Sequence, residues 1–145
     1  MTGTRSRPQP VLRGWSHLVA CPIWFAAGAW LLRSANVSAN HRLLLGVYVA
    51  GTGIMFGTSA LYHRPRWSSR AKALMQRFDR SAIFLAIAGG YTPVAWVCLH
   101  GHTRSISMAV TWGGALLGMA LHWTPGVHRA LRGASYIVVS WIAVF

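Results

Sequence analysis

Apolar stretches of roughly bilayer length recur along the chain, and the short polar segments between them are almost wholly basic. Crossing roughly 30 Å of hydrocarbon takes about 20 helical residues. Four stretches approach that length: Trp15–Leu32, Leu43–Tyr62, Ser81–Leu99 and Ile106–Trp123. A fifth starts at Ala134 and is still apolar at Phe145. At 1.5 Å per residue, that last stretch rises only roughly 18 Å. A helix ending inside hydrocarbon leaves carbonyls without partners. The expectation is therefore a fragment, with four complete spans and part of a fifth. Because lipid offers the backbone no hydrogen bonds, the predicted class is an all-α, polytopic transmembrane helix bundle. Residues 1–145 read as a single membrane domain.

Composition supports this and leaves one rival. Charged residues make up only 10% of the chain, against roughly 25% in soluble domains. Within that 10%, fourteen residues are Lys or Arg and one, Asp79, is acidic, for a net charge of +13. So basic a chain suggests either a nucleic-acid binder, whose cations neutralise phosphates, or a membrane protein, whose cations gather in cytoplasmic segments. The positions of the cations decide. Arg5, Arg7 and Arg13 lie in the tail, residues 1–14. Arg64, Arg66, Arg70, Lys72, Arg77 and Arg80 lie between the second and third spans, and Arg129 and Arg132 after the fourth. The intervening segments hold only Arg33, Arg42 and Arg104. That alternation fits the positive-inside rule and places the N-terminus and residues 64–80 in the cytoplasm. A nucleic-acid-binding face would not switch off in every second loop, so no nucleic-acid partner is expected. The bilayer is the expected partner and the cell membrane the expected location. A cleaved signal peptide is the competing reading of the first stretch, with Ala27-Gly28-Ala29 as its cleavage site. The apolar run continues to Leu32, longer than a usual signal core, which favours a span.

The basic segment 64–80 holds Trp67, Ala71, Leu74 and Phe78 at helical spacing, with Ser68 or Ser69 able to cap its start. It reads either as a short helix on an anionic leaflet or as a solvated loop that sets topology. Gly53-xxx-Gly57 and Gly114-xxx-Gly118 read as sites of close helix approach. Cys21 and Cys98 lack any metal or redox spacing and read as buried small hydrophobes.

Ser59 and His63 stand four residues apart, on one face at the end of the second span. Thr52 and Phe56 extend that face, and Gly53, Gly57 and Ala60 offer a separate packing face. Asp79 begins the third span as predicted, at the same depth as His63, with Ala82, Ala86, Gly90 and Pro93 on its side. An ionisable pair facing inward at a membrane edge suggests a metal or proton-transfer site. Plainer roles exist for each residue: Asp79 as an N-cap, His63 capping carbonyls, and Ser59 bonding a carbonyl one turn back. His122, at the same end of the fourth span, is a lesser candidate. His17 reads as interfacial. Pro93 is expected to kink the third span.

These residues carry a resemblance. Ser59-Ala60-Leu61-Tyr62-His63, a basic segment, Phe78-Asp79-Arg80-Ser81-Ala82-Ile83 and Ala88-Gly89-Gly90-Tyr91-Thr92-Pro93 resemble the haemolysin III family. That family groups with the progestin and adipoQ receptors and, more distantly, the alkaline ceramidases. The resemblance implies seven helices and a zinc site near the cytoplasmic face. It makes His63 a zinc ligand, Asp79 the holder or activator of a zinc-bound water, and Ser59 a catalytic partner. The family's other ligands, a His-x-x-x-His pair on its seventh helix, have no counterpart in this sequence. The implied activity is zinc-dependent hydrolysis of lipid amides or esters, with a site incomplete in this chain. The alternatives are a membrane-perturbing or pore-forming haemolysin and a receptor-like or lipid-homeostasis protein without catalysis.

Overall fold

The computed structural model describes residues 14–34 and 36–142. The tail arginines and the last three residues of the fifth stretch lie outside them. The described residues form five helices and no strand: α1 (Trp15–Ser34), α2 (Ala39–His63), α3 (Ser69–Cys98), α4 (Gly101–Trp123) and α5 (Arg129–Ile142). The expected all-α membrane bundle is what the chain forms. The first four helices are long and apolar enough to cross a membrane. Large apolar side chains cover the outside, among them Trp30, Leu43 and Leu117, each about 70% exposed. Such a surface is stable against lipid and would aggregate in water.

Helix α3 departs most from expectation. It starts at Ser69, capped by the Ser68 hydroxyl accepting from the Ala71 amide. It then runs 30 residues without a break, about 45 Å at 1.5 Å per residue. Residues 69–80 are thus neither a loop nor a separate surface helix. They are the basic first turns of the third span, and the connection from α2 shrinks to residues 64–68. Asp79 therefore lies ten residues inside a helix and cannot be an N-cap. Helix propensity of Ala71, Lys72, Ala73, Leu74, Met75 and Gln76 accounts for the extension; net charge hid it. The most buried face of α3 also differs from the one expected. Ser81, Phe84, Ala88, Thr92 and Ala95 are buried, whereas of the expected face Ala82 is buried and Ala86, Gly90 and Pro93 are only half-buried.

Small residues set the helix spacing. α2 and α3 form the most extensive contact in the bundle, and its centre is backbone against backbone. A Cβ on Gly51 would stand 2.6 Å from the Leu85 carbonyl oxygen, and one on Gly89 3.0 Å from the Val47 carbonyl oxygen. The two xxx-spaced glycine pairs pack as expected. Gly53 receives the Phe25 ring and Gly118 the Phe84 ring, with no room for a methyl group at either. Around Phe84, Ala88, Ala115 and Val139 close the core of α3, α4 and α5. Trp112 Nε1 donates to the Thr92 hydroxyl at 3.1 Å, which itself donates to the Ala88 carbonyl.

Candidate functional site

Antiparallel connection brings the start of α1, the end of α2, the first half of α3, the end of α4 and the start of α5 to one end of the bundle. Among the described residues that end also holds most of the arginines, so we call it the basic end. Ser59, His63, Asp79 and His122 all belong to it.

Ser59 is buried, and its hydroxyl lies 2.6 Å from Nδ1 of His17 on α1. The bond is short, and the tautomer of His17 decides which group donates. The plainer alternative, a carbonyl bond one turn back, gives way to a contact between helices. The same face carries Phe56, whose ring meets His17 at 5.5 Å and Trp24 at 5.9 Å. Gly53 and Gly57 face Phe25 and Cys21 on α1 as well. Both α2 faces separated in the sequence reading therefore lie against α1, and the polar face is not turned to an open interior. His17 is the participant that sequence reasoning missed. A histidine at a span start suggests an interfacial anchor, and only the crossing of α1 over α2 reveals its partner.

His63 is the last residue of α2. Its ring packs beside Tyr62, with centroids 4.5 Å apart. Gly14, at φ +84°, lets the chain entering α1 pass so close that a Cβ there would stand 2.7 Å from the His63 Cβ. His63 also lines an open pocket of about 360 Å³ with Tyr62, Arg64, Arg66 and Lys72. The Trp67 indole donates to the Leu61 carbonyl at 2.8 Å, closing the end of α2. Arg64 lies over the Trp15 ring at 3.9 Å.

Asp79 is half-buried. Its position relative to His63 is fixed through neighbours. Gln76, one turn before Asp79, donates to the Tyr62 hydroxyl at 3.0 Å, and Tyr62 adjoins His63 in sequence. Residues three apart on a helix share a face about 5–6 Å apart. Because α2 and α3 run antiparallel, this bond and the Gly51–Leu85 and Gly89–Val47 approaches put Asp79 about one turn deeper than His63, nearer the level of Ser59, so the equal depth expected from the sequence is not what the register gives. His122 sits elsewhere. It is buried among α3, α4 and α5, between Phe84 and Tyr136, at centroid distances of 5.7 and 5.1 Å. Ser81 and Trp123 tie α4 to α3 beside it by a 3.0 Å hydrogen bond.

No group of three or more His, Cys, Asp or Glu side chains comes together among the described residues. A zinc site usually needs three or four protein ligands. His63 and Asp79 supply part of such a set and do not suffice alone.

The fold and this polar, strongly basic end define a multi-pass helical membrane protein. A family model described as haemolysin-III related matches residues 5–145. The chain belongs to the haemolysin-III related family. No solved structure matches it.

Proposed function

We propose that this protein is a zinc-dependent membrane hydrolase of lipid amides or esters, with the basic end facing the cytoplasm. The orientation rests on the alternation of arginines between segments. The observation that supports the reading is the placement of Ser59, His63 and Asp79 at the same basic end, with Gln76 bonded to Tyr62 across the α2–α3 contact and Ser59 bonded to His17 across the α1–α2 contact. The motif resemblance implies roles for the same three residues. The zinc set requires two further ligands, which the resemblance assigns to a His-x-x-x-His pair on a later helix. No reaction step through a metal is derived from the residues present.

What the chain's own groups do is narrower. Ser59 and His17 form a hydrogen-bonded pair able to exchange a proton at Oγ and Nδ1. Asp79 contributes the only carboxylate side chain in the sequence, and at this basic end it is the group suited to orient a water. His63 offers an imidazole beside the pocket between α2 and α3. When bound, zinc would supply a polarised water of lowered pKa.

The test is metal analysis of the gene product purified from its native membrane, followed by a panel of lipid amides and esters. About one zinc per chain is expected, lost on His63→Ala, with lipid turnover lost on Asp79→Asn. Zinc-free protein from cells grown with ample zinc would sink the reading. Zinc without turnover of any lipid would leave a metal-binding, receptor-like protein instead.

A further inference from the structure

The α3–α4–α5 corner of the basic end holds a cavity of about 520 Å³ that includes none of Ser59, His63 or Asp79 in its lining. Gln76, Arg80, His122, Arg129, Arg132 and Tyr136 line it, and no acidic side chain does. Its walls are pinned in place. The Tyr136 hydroxyl donates to the Arg80 carbonyl at 3.3 Å, joining α5 to α3. Arg132 donates through one terminal nitrogen to the Thr124 carbonyl at 2.8 Å, joining α5 to the end of α4.

Two buried groups in this lining lack partners. His122 is 4% exposed, and neither ring nitrogen makes a hydrogen bond. The Arg132 backbone approaches the His122 ring without completing one. Nε of Arg132 is also buried and unpartnered. Buried polar groups in folded proteins are nearly always satisfied, so exceptions need an explanation. Three guanidinium groups around one cavity repel each other. A bound anion accounts for both observations, because it accepts from the unpartnered donors and offsets the charge.

We propose that this cavity is a phosphate-binding site, with Arg80, Arg129 and Arg132 as its charged walls and His122 as a donor from its floor. Guanidinium groups match phosphate oxygens in charge and in planar, two-pronged geometry. The site lies where α4 ends at Trp123 and α5 begins at Arg129. A tryptophan at a helix end marks headgroup depth. The phosphate comes either from an anionic lipid headgroup or from a free phosphate ion. The proposal rests on the cavity alone and is independent of the zinc reading.

The full chain in neutral maltoside micelles is titrated in two arms, with phosphatidylglycerol and with inorganic phosphate, following tryptophan fluorescence and native mass. Saturable one-site binding is expected in at least one arm. Binding of the lipid alone identifies a headgroup site, and binding of inorganic phosphate identifies recognition of the free ion. Arg132→Gln is expected to weaken binding about tenfold, the effect of losing one charge-assisted contact. Arg129→Gln, at an exposed helix start, is expected to weaken it about threefold without disturbing the fold. Arg70→Gln removes an equal charge from an exposed position outside the cavity and is expected to leave affinity within about twofold. No saturation in either arm overturns the proposal. So does a loss with Arg70→Gln equal to that with Arg129→Gln, which would reveal only general attraction to a chain of net charge +13.

Discussion

The two corners of the basic end treat their polar groups in opposite ways. Where α1, α2 and α3 meet, Ser59 has His17, Gln76 has Tyr62, and Trp67 has the Leu61 carbonyl. Where α3, α4 and α5 meet, His122 and Arg132 bury nitrogens with no partner, although Phe84, Tyr136 and Val139 pack the surrounding core tightly. The first corner is a satisfied network that fixes geometry, and such networks specify a single arrangement. The second is well packed and electrostatically incomplete. The difference teaches that a motif marks where geometry is held, while unmet polar groups mark where something else is accommodated.

Substitutions can break or sharpen this contrast. The largest effect is expected from Phe84→Ala, which empties a fully buried ring site shared with Gly118, His122 and Tyr136. A loss of about 3–5 kcal/mol is expected, read as a lower detergent-unfolding midpoint. A disulfide engineered between α1 and α2 should still form in that variant; its loss would show that the corners are not separable. Gly51→Val drives a side chain into the Leu85 carbonyl, and about 1–3 kcal/mol of overpacking is expected. That damage falls on the α2–α3 contact, so it should disturb the first corner while α4 and α5 keep their protection from hydrogen exchange.

Ser59→Ala removes the partner of His17 and should cost about 1 kcal/mol. No change in the unfolding midpoint would mean that the 2.6 Å bond contributes nothing. Thr111→Val tests the opposite sign. The Thr111 hydroxyl is completely buried and unpartnered on α4, so the apolar replacement should be neutral or stabilising by up to about 1 kcal/mol. The smallest effect is expected from Arg64→Gln, which removes an exposed cation from the Trp15 face and should cost about 0.5 kcal/mol.

Much of the fold was legible because hydrocarbon imposes a length. Trp15, Leu43 and Ile106 each lie within a few residues of a helix start, and Trp123 ends α4 in both readings. The start of α3 was not legible, because hydropathy registers the membrane and not the helix. Arg70, Lys72, Arg77 and Arg80 interrupt the apolar signal while leaving the helix intact. Ser59 and His63 were singled out by their four-residue spacing and Asp79 by being the sole acid, and the structure places all three at the basic end. The partner of His17 was not legible, and His122 stood out only as a lesser candidate at the same end. Their roles depend on which neighbour each helix crosses, and no periodicity within one helix encodes that. The Gly51 and Gly89 contact escaped for the same reason, since neither glycine lies in a paired motif that points to the other.

The most direct test sets the corners against each other in one metal analysis. Protein purified from its native membrane is assayed for zinc as wild type, His63→Ala and Arg132→Gln. The account predicts zinc in the wild type, its loss with His63→Ala and its retention with Arg132→Gln. Zinc that persists without His63, or that departs with Arg132, would contradict the assignment of metal chemistry to the Ser59–His63–Asp79 corner.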